Sequence, residues 1–256
     1  MVRRRVAFAV LLAIGAGSLL FDLTLPSRLP SDADWAEAAG ALRGAARPGD
    51  AVQIWPVWAE RARLFVDAAP VFAEEDLARA DYPGFSNLWL LSLPRTPFFR
   101  SPEAALRARG ATPGGGEQRF GALALQRWEL HGPEVTADLT RSGEEHEVDY
   151  VARRCLRVPA AGRFSARGAA GRTLHLRAGV IGERAYDADQ PPIEVQVFAD
   201  GAPLGRLEVP RTIRDGTGWR SLDVPVPSGA PEREFIFAVS SADRGRPFCL
   251  QAWTSR

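Results

Sequence analysis

Three stretches of this chain, Leu174-His175-Leu176-Arg177-Ala178, Ile193-Glu194-Val195-Gln196-Val197 and Leu222-Asp223-Val224-Pro225-Val226, alternate in step with a period of two. Such a period sends every second side chain to one face, so each stretch reads as a strand with one face buried. Phe235–Val239 adds a continuously apolar run, and Asp200-Gly201 is a tight-turn pair between Val197 and Leu204. Short strands separated by Gly- and Pro-containing turns predict an antiparallel β-sandwich over residues 150–256, jelly-roll-like in arrangement.

Two cysteines, Cys155 and Cys249, stand in short apolar strand-like pieces of this half. In an oxidising compartment one bridge is the simplest outcome; two buried thiols are the alternative. A bridge would pin the first strand of the sandwich to the last. In the chain-entropy model, closing a loop of about 95 residues is worth about 4–5 kcal/mol. No CxxC spacing occurs and the histidines, at 131, 146 and 175, are scattered, so neither a metal centre nor a cofactor is expected.

The first half has a different rhythm. Ser31, Asp32 and Asp34 offer caps for a helix whose apolar side runs through Trp35, Ala38, Ala39, Leu42 and Ala46, stopped by Arg47-Pro48-Gly49-Asp50. Ala51–Trp55 follows as a strand, then Trp58, Ala62, Phe65 and Val66 at helical spacing. Asn87–Leu93 is nearly all apolar, as expected of a strand covered on both faces. Ser101-Pro102-Glu103 starts another helix that Gly110 ends, and residues 117–130 supply the last strands. This alternation predicts a small three-layer α/β domain over 29–130, and the acidic segment 131–149 reads as a linker.

Arg3, Arg4 and Arg5 precede an apolar run from Val6 to Phe21. Residues 1–28 therefore read as a signal anchor, or transmembrane helix, with the membrane contacted through residues 6–25. The expected placement is a single pass through an inner membrane, N-terminus cytoplasmic and bulk periplasmic. Gly15-Ala16-Gly17 offers the alternative of a cleaved signal peptide. All 32 basic residues are Arg and they face 31 acidic ones, a balance with no net field to draw nucleic acid.

Asp34-Trp35, Leu42, Ala46-Arg47-Pro48-Gly49-Asp50-Ala51-Val52, Leu88-Trp89-Leu90-Leu91 and Arg119-Phe120-Gly121-Ala122-Leu123 give about 100 residues a likeness to a known family. That order resembles the soluble extracytoplasmic region after the last membrane helix of polyprenyl-phosphate-dependent, GT-C-type glycosyltransferases. The second half looks like the jelly-roll modules that bind carbohydrate. The family's catalytic acids lie in a multi-helix membrane domain with no counterpart here, so the resemblance implies an accessory portion and carries over no catalytic residue.

Ligand contacts are expected at aromatic side chains. Trp55 and Trp58 flank the carboxyl end of a strand, where open α/β sheets tend to place ligands, or else they cover the sheet. Tyr186, Asp187 and Asp189 could offer an aromatic face and carboxylates to sugar hydroxyls or to Ca²⁺, or form a solvated loop. Trp219 could present an exposed indole or fill the core. No nucleophile elbow occurs, since Gly84-Phe85-Ser86-Asn87 lacks the second glycine. The acid pairs adjoin only in sequence. The sequence thus points to a non-catalytic accessory or glycan-recognition protein of envelope glycosylation, working beside an envelope saccharide or an inner-membrane glycosyltransferase. A protein-interaction scaffold and a glycan hydrolase are the alternatives.

Overall fold

The computed structural model describes residues 2–24, 29–73, 77–94, 101–149, 151–182, 191–209, 218–243 and 245–256, with the side chains of 2–9, 22, 57 and 58 set aside. Helix α1 covers Val2–Thr24. Among the described residues no helix is long and apolar enough to cross a membrane. The expected single-pass inner-membrane placement, with its periplasmic bulk, is corrected accordingly. The physical reason lies in the uncharged part of the helix: α1 has 23 residues, but only sixteen lie between Arg5 and Asp22, about 24 Å of helix against a hydrocarbon core of about 30 Å.

Helix α2 (Asp32–Ala45) starts where the sequence places it, because Ser31 Oγ accepts from the Asp34 N–H at 3.2 Å and the Asp34 carboxylate accepts from the Ser31 N–H at 2.8 Å. Its buried side is Trp35, Ala38, Ala39 and Leu42. Strands β1 (Ala51–Trp55), β2 (Val71–Phe72) and β3 (Asn87–Ser92) follow, then α3 (Pro102–Ala108), β4 (Thr112–Pro113), β5 (Gln118–Phe120) and β6 (Leu123–Glu129). They form one sheet in the order β2-β1-β3-β6-β4, with β5 beside β6; β1 is parallel to β2 and β3, and β6 is antiparallel to β3. Both faces are covered. Val52, Ile54, Trp89, Leu91, Leu123 and Leu125 pack with α2, while Ala51, Trp55, Leu88, Leu90 and Trp128 pack on the opposite side with Tyr82 and Leu106 of α3.

Asp50 and Gly121, both in the short motifs of the first half, hold this domain together. Asp50 is buried and accepts from Asn87 Nδ2 at 2.9 Å, Trp89 Nε1 at 3.0 Å and the Arg47 N–H at 3.1 Å, tying the start of β1 to β3. Burial raises its pKa, but these donors outweigh it and the net shift is downward. Gly121 has φ +56°, and a Cβ there would come within 2.4 Å of the Asp34 carboxylate that caps α2.

The second half is the expected antiparallel sandwich. Its strands are β7 (Val135–Asp138), β8 (Glu144–Val148), β9 (Val151–Pro159), β10 (Gly162–Ala169), β11 (Thr173–Val180), β12 (Ile193–Ala199), β13 (Ala202–Val209), β14 (Arg220–Pro225), β15 (Glu232–Ser240) and β16 (Pro247–Ser255). A four-stranded sheet, β10-β15-β12-β13, faces a six-stranded one, β14-β11-β16-β9-β8, with β7 on β16. Between them lie Leu174, Leu176, Ala178, Val195, Val197, Phe235, Phe237, Leu250 and Ala252. Asp200 (φ 47°) and Gly201 (φ 84°) make the β12–β13 turn that their sequence announces.

Two sequence expectations change here. Segment 131–149 carries strands β7 and β8, paired with β16 and β9, so it belongs to the sandwich and is not a linker. Its acidic residues hid this because Glu144, Glu145 and Glu147 are exposed even in a strand. Cys155 and Cys249 are bonded, with Cα atoms 5.7 Å apart. The bridge joins β16 to its neighbour β9, which is the third strand of the sandwich and not the first.

Candidate functional site

The residues nominated from the sequence do not assemble into one open site. Trp55 is only 5 % exposed, packed under the α/β sheet. Trp58 belongs to the 3-10 segment Val57–Leu64, and its side chain lies outside what is described. Tyr186, Asp187 and Asp189 lie outside the described residues. Trp219 is half-buried where the two halves meet; its Nε1 donates to the Val151 carbonyl at 2.9 Å and the Arg153 guanidinium lies 5.5 Å from its ring.

That junction holds a charged network built on the outer face of the six-stranded sheet. The Asp81 carboxylate, 2 % exposed and supplied by the α/β half, accepts from Arg153 Nη1 at 3.0 Å and Arg177 Nε at 2.9 Å on one oxygen. Its other oxygen accepts from the Ala78 N–H at 2.8 Å. Arg177, fully buried, continues to Asp223 Oδ1 at 2.7 Å and lies 5.1 Å from the Trp253 ring. Asp223 in turn meets His175 Nδ1 at 2.8 Å, and His175 Nε2 meets Ser255 Oγ at 2.8 Å. Burial raises the Asp223 pKa, yet the His175 and Arg177 contacts more than reverse this and pull it from 3.8 to about 2.

Ser255, His175 and Asp223 reproduce the bond order of a nucleophile, base and orienting acid, but the access is inverted. A catalytic serine must reach an acyl carbon while the acid is enclosed. Here Ser255 and His175 are 2 % and 5 % exposed, and the Asp223 side chain is 43 % exposed. Register explains the alignment without chemistry: His175 sits opposite Asp223 on β14 and Trp253 on β16, so the three are cross-strand neighbours on one sheet face. The cluster fastens the two halves together.

The outer face of the four-stranded sheet is different, because Gln196, Pro203, Arg206 and Glu208 on it are exposed, with Ile236 the buried member. Alternation along β12 turns Glu194, Gln196 and Phe198 outward while Ile193, Val195, Val197 and Ala199 enter the core. Register then sets rows across the strands. Ile236, Phe198 and Pro203 stand abreast; beside them come Ala238, Gln196 and Arg206, and then Ser240, Glu194 and Glu208. An apolar band thus lies against two polar ones. Gln196 Nε2 donates to Glu194 Oε1 at 2.7 Å, and Arg206 Nη2 lies 2.6 Å from Glu194 and 3.6 Å from Glu208. A concavity of about 390 Å³ opens over Gln196, Phe198, Pro203 and Arg206. The sequence signal was the alternation of β12, which continues one step past Val197 to Phe198.

No family model matches the chain and no curated protein matches it, so the glycosyltransferase likeness rests on its short motifs alone. Solved structures similar to parts of it include the CBM51-2 and INT domains of Clostridium perfringens ZmpB in complex with GlcNAc, at 13 % identity and TM-score 0.34, covering 48 % of this chain and 28 % of that one. A family 35 carbohydrate-binding module from an environmental isolate matches at 15 % identity and TM-score 0.30, covering 47 % and 87 %. The EclA C-terminal domain, a sugar-binding protein, matches at 18 % identity and TM-score 0.28, covering 39 % and 79 %. The chain spans under a third of the length of the first two structures it matches, 28 % and 29 %. Likenesses this weak decide nothing about the function of the chain.

Proposed function

We propose that this chain recognises saccharide without transforming it, and that the outer face of the β10-β15-β12-β13 sheet is where it does so. The observation that carries the reading is the register of that face: Phe198 and Pro203, with the buried Ile236 next to Phe198, run directly beside Gln196, Arg206, Glu194 and Glu208. A pyranose is amphipathic in the same sense, with a C–H face that packs on an aromatic or aliphatic surface and a rim of hydroxyls that both donate and accept. Carboxylates accept from those hydroxyls, the guanidinium donates to them, and the amide does both. An apolar floor with a few convergent polar groups is the ordinary composition of a small-molecule site. The proposal extends to saccharide recognition alone and includes no glycosyltransferase partner.

Glycan-array screening of the full chain, followed by titration calorimetry, tests it. Micromolar to millimolar binding is expected, weakened at least tenfold by Phe198→Ala and unchanged by Trp219→Phe. Binding that survives Phe198→Ala intact moves the site elsewhere, and an array without a single saccharide hit removes the function.

A further inference from the structure

We infer that this sheet face takes neutral saccharide in preference to carboxylated saccharide. The inference rests on the saccharide reading above and names its ligand class. Ile236 is only 8 % exposed, so the accessible apolar floor is Phe198 on β12 and Pro203 on β13, about 5 Å apart at the spacing of neighbouring strands. A floor of that width seats one sugar ring, with the polar rows of Gln196, Arg206, Glu194 and Glu208 beside it.

Charge then decides the class. On β12 and β13 the polar rows contain one cation, Arg206, and two carboxylates, Glu194 and Glu208, both within ion-pair distance of it. The guanidinium is already held, and the local balance around Gln196 is negative. A ligand carboxylate arriving there meets two like charges and would have to displace one of them. A hydroxyl has no such conflict, since it donates to a carboxylate oxygen and accepts from Arg206 or Gln196. The other cation in the Gln196 row is Arg163, opposite Ala238 and two strands from Gln196, about 10 Å off. An acidic ligand would have to use it.

Titration of the full chain with cellohexaose, mannohexaose, xylohexaose and hexagalacturonate separates these possibilities. At low ionic strength at least one neutral hexamer binds five times more tightly than hexagalacturonate or better, and the gap narrows as salt screens the carboxylates. Gln196→Ala, an exposed substitution that spares the core, weakens the neutral hexamer at least threefold. Glu194→Gln combined with Glu208→Gln raises hexagalacturonate affinity. Should hexagalacturonate bind the unaltered chain as well as any neutral hexamer, and lose that binding in Arg163→Gln, the class assignment is overturned while saccharide recognition stands. Should no hexamer bind at all, both fall together.

Discussion

The two sheets of the sandwich share one core, yet their outer faces are used in opposite ways. The six-stranded sheet turns Arg177, His175, Trp253 and Ser255 away from the core, yet all four are buried, and the α/β half docks there and supplies Asp81 to Arg177. The four-stranded sheet turns Glu194, Gln196, Phe198 and Arg206 away from the core and leaves most of them accessible. On the covered face the buried Arg153 and Arg177 share the Asp81 carboxylate, and Arg177 also meets Asp223, which is what burial of charge requires. On the open face Arg206 lies between Glu194 and Glu208 within reach of solvent, so a ligand's hydroxyls can compete for these groups. One fold thus builds a fastener and a reading surface from the same alternation.

The comparison breaks most sharply at Asp81. Asp81→Ala removes the carboxylate that two buried guanidiniums, Arg153 and Arg177, share, and is expected to cost about 3–5 kcal/mol in urea unfolding. A loss under about 1 kcal/mol would show that the covered face is not held by this carboxylate. Next in size is the disulfide. Replacing Cys155 and Cys249 together by Ser reopens a loop spanning 94 residues, with an expected loss of about 2–4 kcal/mol read from the same denaturation midpoint. Saccharide binding by the folded fraction should be untouched, since neither sulfur lies on the four-stranded sheet.

Acid provides a gentler cut. Asp223 has its carboxyl pKa lowered from 3.8 to about 2, and His175 and Arg177 hold the ionised form. A group depressed in the folded state stabilises above its unfolded pKa and loses that contribution as pH falls through the folded value. The fastening should therefore weaken between about pH 4 and pH 2. Because the side chain is 43 % exposed, solvent screening makes the effect small. Thermal melts across that range should show a decline that Asp223→Asn flattens. An unchanged slope in Asp223→Asn would assign the acid sensitivity to other carboxylates.

Much of the fold was legible before any coordinates. The sandwich, the turn at Asp200-Gly201, the capped α2 and the partly parallel first sheet all follow from local signals that agree with each other. The alternation of β11 and β12 also told which side chains leave the sandwich core. It could not tell what lies beyond them. His175 and Arg177 read as solvent-facing by period, and they are buried because a separate sheet docks there, a long-range event that no local pattern encodes. The same limit applies to Trp55 and Trp219, large aromatics near strand ends that are taken up by packing at or near the junction. Strands β7 and β8 were hidden for the converse reason, since edge strands rich in acid look like a linker to any hydropathy argument.

The smallest expected effect on stability is the one that bears most directly on function. Phe198 is half-buried on the open face, where it stands abreast of Ile236 on the adjacent strand. Truncating it to Ala removes apolar contact from a rim and leaves the core between the sheets intact, so the cost should stay near about 1 kcal/mol, well below the several kcal/mol typical of a fully enclosed phenylalanine. Saccharide affinity should meanwhile fall at least tenfold. The two readouts therefore diverge at Phe198 and at Asp81 in opposite directions, stability moving at one and binding at the other. If Phe198→Ala unfolds the sandwich as severely as Asp81→Ala, its ring belongs to the core, and the distinction between a covered and an open sheet face fails at the position on which it most depends.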